Sequence, residues 1–139
     1  AGVKALGKAL RSTTPEEFAL AVSLAGDYRV VGLVPDLLAM VKIKPLRKTD
    51  FDTNVIVIRT LGKIGHVSAL PTLEKLVFSK WNLYPQRFTA LKEEVFGSLE
   101  RYPYASIRNL IAFGEKSGNN RIQRLCAELV GREFHSELS

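Results

Sequence analysis

The sequence predicts an all-α protein, an α-solenoid of about three helical hairpins with half a hairpin at each end, and three observations carry that prediction. Apolar residues recur at helical spacing along the chain. No strand-like alternation of apolar and polar residues occurs anywhere. One hairpin pattern returns at a nearly fixed period, as stacked repeats require.

The clearest copy runs from Val55 to Phe78. Val55, Ile58 and Leu61, with Val57 and Ile64, form one apolar helical face, and Leu70, Leu73, Leu76 and Val77 form a second. Gly62 and Gly65 let the chain stop and turn between them, and Pro71 sits in a first helical turn, where its missing N–H costs nothing. Neither helix can bury its face alone, so the two are expected to form an αα-hairpin.

The remaining elements follow in chain order. Val3, Leu6 and Leu10 share a helical face that ends at Arg11 and Ser12, which reads as the second helix of a pair. Thr14, Pro15 and Glu17 have the spacing of an N-cap, a first-turn proline and a capping box, so a helix is predicted to start there and to run through Phe18, Val22 and Ala25 to Gly26-Asp27. Its partner carries Leu33, Leu37, Met40 and Val41. After the segment 42–54, in which Asp50 or Asp52 is expected to cap the next helix, comes the Val55 hairpin. A longer helix is predicted from Pro85 to Phe96-Gly97, then a Tyr102-Pro103-Tyr104 turn, then a face of Ile107, Leu110 and Phe113. Ser117-Gly118-Asn119-Asn120 breaks the chain and caps a last helix with Ile122, Leu125 and Leu129, expected to end near Gly131 ahead of an unstructured tail.

Laid on itself, the pattern places Gly26 on Gly65, 39 residues apart, and Pro35 on Pro71, 36 apart, with three extra turn residues near Arg29 absorbing the difference. Leu37 then meets Leu73, Met40 meets Leu76 and Val41 meets Val77. Gly62 and Gly97, 35 apart, align the third pair.

Composition bounds the function. At 139 residues, 46% hydrophobic and 24% charged, the chain is the size of one domain, 1–139, with enough apolar residues for a core. Apolar runs such as residues 30–41 are broken by Pro35 and Asp36 and fall short of the roughly 20 residues of a membrane span. With no visible secretory signal and a single cysteine, Cys126, a cytoplasmic location is expected. A start at Ala1 and half-units at both ends suggest a fragment of a longer protein. The net charge of +6 is spread thinly, with only Lys42, Lys44, Arg47 and Lys48 clustered.

LGKIGHVSALPTLEKLV, with its Leu-Gly pair, second Gly, Ala-Leu-Pro and spaced leucines, resembles a HEAT-like repeat of the kind found in phycobilisome-lyase-type HEAT proteins. SLAGDYRVVGLVPDLLAMV carries the same pattern, and the third pair carries it weakly. His66 stands where that pattern has an Asp, which Asp27 supplies, and Thr53-Asn54 stands where a Val-Arg pair is common. The resemblance implies a protein-binding scaffold; some members serve as pigment-lyase subunits or regulatory domains, and related folds bind DNA.

Side chains for catalysis are few. His66 falls in a turn and His135 in the tail, and one cysteine with two distant histidines makes no zinc site. Cys126, one turn after Ile122, is expected to pack as a small hydrophobe. Glu16/Glu17 and Glu93/Glu94 are sequence neighbours and diverge on a helix, and no glycine belongs to a phosphate loop. The expectation is no enzyme, no metal and no cofactor.

Binding surfaces are the stronger candidates. With Leu73 at the centre of the buried face of a helix over 68–80, Phe78 projects away from it and Trp81 stands at the helix end. Two readings stand: these aromatics pack on Tyr84 or the next pair, or they anchor a protein partner, flanked by Glu74, Lys75 and, on the preceding second helix, Lys42. The loop 42–54 is either a solvated charge run or an anion contact made by Lys42, Lys44, Arg47 and Lys48. The function expected is a non-catalytic protein-binding scaffold, with nucleic-acid binding or a lyase subunit as alternatives.

Overall fold

A computed structural model of the chain describes residues 2–12, 14–80 and 83–138. Among these residues the protein is all-α, with eight α-helices and no strand. They are α1 (Gly2–Leu10), α2 (Pro15–Asp27), α3 (Val34–Ala39), α4 (Lys48–Ile64), α5 (Leu70–Phe78), α6 (Pro85–Gly97), α7 (Arg108–Glu115) and α8 (Asn120–Leu138). α2 packs on α4, α4 on α6 and α6 on α8, forming one layer. The shorter α1, α3, α5 and α7 lie against α2, α4, α6 and α8 respectively, so the closest packing joins α5 to α6 rather than to α4, the hairpin partner that the sequence suggests. One apolar core runs between them and includes Leu37, Ile58, Leu61, Leu73, Phe96 and Leu110.

Each of α3, α5 and α7 is entered through a short 3-10 turn, at Val31–Leu33, Val67–Ala69 and Tyr104–Ser106. The same two positions follow each turn into the core: Val34, Leu70 and Ile107, then Leu37, Leu73 and Leu110. This register revises the glycine alignment. Gly62 lies against Ser98 of the α6 end, where an added Cβ would stand 2.7 Å from the Ser98 carbonyl oxygen. Gly26 faces α4 in the same way, against Lys63 and Thr60. The structural counterpart of Gly26 is therefore Gly62, 36 residues on, which matches the proline spacing and leaves no three-residue insertion. Gly65 has a separate task. Its φ of 70° ends α4 in the left-handed region, and its N–H closes on the Leu61 carbonyl at 2.8 Å.

Several predicted boundaries move. α4 begins at Lys48, so Asp50 and Asp52 lie inside its first turns and cap nothing, and the open segment shrinks to residues 40–47. Asn54 ties α4 to the chain that precedes it. It is fully buried, and its side chain accepts the Lys42 N–H at 2.8 Å and donates to the Lys42 carbonyl at 2.6 Å. One amide thus satisfies both backbone groups of the chain leaving α3. α3 in turn stops at Ala39, leaving Met40 and Val41 beyond it and Lys42 in the loop rather than on a helix.

Thr14 precedes α2 as expected, but its side chain makes no capping bond; its own N–H donates to the Ser12 hydroxyl at 3.1 Å. The Asn119 cap is present, its Oδ1 accepting the Ile122 N–H at 3.0 Å. α8 passes through Gly131 and the expected tail to Leu138.

Candidate functional site

Two surfaces differ in how their charges are used. Along the layer of α2, α4, α6 and α8, cations of one helix pair with carboxylates of the next. Lys63 lies 3.6 Å from Asp27, and Arg59 meets Glu94 through two bonds of 3.0 and 2.7 Å. Arg132 lies 2.6 Å from Glu100, and Arg11 of the segment after α1 lies 3.1 Å from Asp36 on α3. The C-terminal carbonyls of α4 receive guanidinium groups from both sides, Arg29 reaching Ile64 at 3.0 Å and Arg101 reaching Lys63 at 3.1 Å. Those carbonyls have no partner within their own helix, so each arginine satisfies an acceptor that the helix leaves open.

The opposite arrangement occurs where α5, α6 and α7 meet. Phe78, the last residue of α5, packs edge-on against Phe113 of α7 with ring centroids 5.0 Å apart. The Lys92 ammonium on α6 lies 4.2 Å from the centroid of Phe88, one turn earlier on the same helix, and 5.7 Å from that of Phe113. Phe88, Lys92, Phe113 and Phe78 therefore form one continuous strip. Phe78 and Phe113 remain 43% and 39% exposed, because Leu73 and Leu110 already fill the core on the buried sides of the same helices. Lys92 is half-buried, and its pKa falls below the ordinary lysine value because the surrounding rings strip it of water. Among the described residues no carboxylate lies within ion-pair distance of it.

The strip corrects one expectation. Phe113 is not part of the buried face of α7, which consists of Leu110, Ile111 and Gly114 following Ile107. Those four follow the i, i+3, i+4, i+7 rule and Phe113 does not. That signal was present in the sequence, as was the i, i+4 spacing of Phe88 and Lys92.

Of the other predicted binding residues, Glu74 is half-buried and Lys75 exposed on α5, one turn before Phe78. Trp81 lies outside the described residues. Lys42, Lys44, Arg47 and Lys48 are all exposed. Lys48 now belongs to α4 and lies 3.5 Å from Asp52, one turn on. The loop bearing Lys42, Lys44 and Arg47 is tied to the start of α6, where Arg87, adjacent to Phe88, donates to the Leu46 carbonyl at 3.0 Å. The loop of the cationic candidates is thus tied to α6, the helix that carries Phe88 and Lys92.

The groups with chemical potential lie elsewhere. His66 is exposed, and its Nδ1 accepts the Ser68 N–H at 3.2 Å to cap the second 3-10 turn. His135 is exposed on α8. Cys126 is fully buried as a core residue, with its sulfur over Gly114, and burial with the neighbouring Glu115 charge raises its pKa to about 11. A thiol so raised stays protonated at neutral pH and is a poor nucleophile. Among the described residues no cluster of His, Cys, Asp or Glu has the makings of a metal site, and no helix is long and apolar enough to cross a membrane.

The chain matches no protein-family model, no curated protein and no solved structure.

Proposed function

We propose that the protein is a HEAT-like α-solenoid whose work is the non-covalent binding of another protein through the Phe88, Lys92, Phe113 and Phe78 strip, without catalysis or a cofactor of its own. The observation that carries the reading is the position of Phe78 and Phe113: two large aromatics pair with each other in partial contact with water while leucines of the same helices fill the core. Aromatic side chains bring large apolar area at low entropic cost, which makes them frequent anchors of protein interfaces. Support for the repeat comes from the recurring 3-10 entry, the matched buried positions of α3, α5 and α7, and the 36-residue spacing of Gly26 and Gly62.

The test is affinity capture from source lysate, with and without nuclease, comparing the wild type with Phe78→Ser/Phe113→Ser. A protein retained after nuclease and lost with the double variant is the expected result. Capture that vanishes on nuclease treatment would replace this reading with nucleic-acid binding through Lys42, Lys44 and Arg47. Capture indifferent to the double variant would move the site off the strip.

A further inference from the structure

The strip has a charge as well as an apolar surface, and among the described residues no carboxylate lies within ion-pair distance of that charge. Every cation that joins neighbouring helices on the layer of α2, α4, α6 and α8 meets a carboxylate or a helix-terminal carbonyl. Lys92 meets rings instead. A ring face attracts an ammonium but does not neutralise it, and a half-desolvated cation gains more from an incoming anion than a fully hydrated one. Lys75 lies one turn before Phe78 on α5, and Lys116 follows one turn after Phe113 at the end of α7; neither has an ion-pair partner among the described residues. Arg87 ties the loop carrying Lys42, Lys44 and Arg47 to the start of α6.

The geometry points to an acidic peptide segment as the ligand of the strip, one with an apolar or aromatic residue seated on Phe78 and Phe113 and a carboxylate on Lys92. This rests on the scaffold reading and specifies its partner. The anchor covers the exposed edges of the two phenylalanines and also shields the Lys92 pair from water, so the ion pair forms where screening is weak. A basic segment would instead place its charges against Lys92, at a cost.

Selection of a random 12-residue peptide library on the immobilised protein, followed by fluorescence-anisotropy titration of the enriched peptides, tests this directly. The expected result is enrichment of sequences with Asp or Glu beside Leu, Phe or Trp. Their affinity should drop about tenfold for Lys92→Gln, recover for Lys92→Arg, and weaken as salt rises. Lys92→Gln removes the charge at a half-buried position and leaves a polar side chain one atom shorter, and circular dichroism confirms that each variant tested is folded. Enriched sequences without an excess of carboxylates that still fail to bind Phe78→Ser/Phe113→Ser would overturn the acidic assignment and leave the scaffold reading standing. Peptides indifferent to both substitutions, or no enrichment at all, would overturn both. Tighter binding of a single-stranded oligonucleotide than of any enriched peptide, or a dimer in sedimentation that Phe113→Ser abolishes, would assign the strip to nucleic acid or to a second copy instead.

Discussion

The layer of α2, α4, α6 and α8 and the strip at α5, α6 and α7 use the same residue types to different ends. Arg59, Lys63 and Arg132 on the layer are paired with carboxylates from a neighbouring helix or its end, and their geometry accounts for them without a ligand. Lys92 on the strip is held against rings, and Phe78 and Phe113 keep much of their surface in water. A cation or an aromatic is therefore informative only once its partners are known. Residues satisfied within the fold explain the fold, and residues left over point outward.

This contrast predicts where substitutions hurt. The largest loss should come from the core beneath the strip: Leu73→Ala removes a fully buried side chain and should cost about 2–5 kcal/mol in urea unfolding. A cost as small as that of a surface change would show that α5 is not anchored as described. On the tied layer, Gly62→Ala drives a Cβ into the Ser98 backbone and should cost about 1–3 kcal/mol. Its sequence counterpart Gly97→Ala meets nothing within 4 Å and should gain about 0.5–1 kcal/mol from helix propensity. Opposite signs for two glycines that align in sequence would confirm the packing of α4 on α6, and equal signs would refute it.

Asn54→Ala leaves the Lys42 N–H and carbonyl without their shared partner and should cost about 1–3 kcal/mol, with faster amide exchange at Lys42 as the local readout. A smaller effect is expected from alkali. The Cys126 pKa is raised from 9 to about 11, so burial favours the neutral thiol; the stability this contributes is complete below pH 9 and is lost as pH climbs through about 11. Tyr102, whose buried hydroxyl has no hydrogen-bond partner among the described residues and whose pKa is also raised by burial, acts in the same direction at higher pH. Thermal midpoints should fall across that window, and less steeply for Cys126→Ala than for the wild type. The smallest change belongs to the layer's exposed pairs: Arg59→Ala should cost below about 1 kcal/mol, since its side chain is 62% exposed and screened by solvent.

Much of the helical order was readable because it rests on local rules. Pro15, Pro35, Pro71 and Pro85 occupy the first turns of helices, and the spacing of Ile58, Leu61, Leu73 and Leu76 gives the buried faces. What escaped depends on contacts between segments. Asn54 looked like a departure from a repeat pattern, and only the Lys42 backbone 12 residues earlier gives it a purpose. In the sequence Gly62 reads as part of a turn, whereas its role is set by Ser98 at the end of α6. The end of α8 is not legible in the sequence because residues 132–138 lack apolar periodicity, although nothing in them forbids a helix. Phe78 was identified by its outward position, but its neighbours Phe113, Phe88 and Lys92 come from two other helices.

The measurement that tests the division between the tied layer and the open strip most directly is urea unfolding and lysate capture run in parallel on Phe78→Ser/Phe113→Ser and on Arg59→Ala. The strip variant should lose about 2 kcal/mol or less from its half-exposed ring pair and lose its captured protein, while Arg59→Ala should keep that protein. Loss of stability on the scale of Leu73→Ala with capture intact would show that Phe78 and Phe113 serve the fold, and would contradict the account.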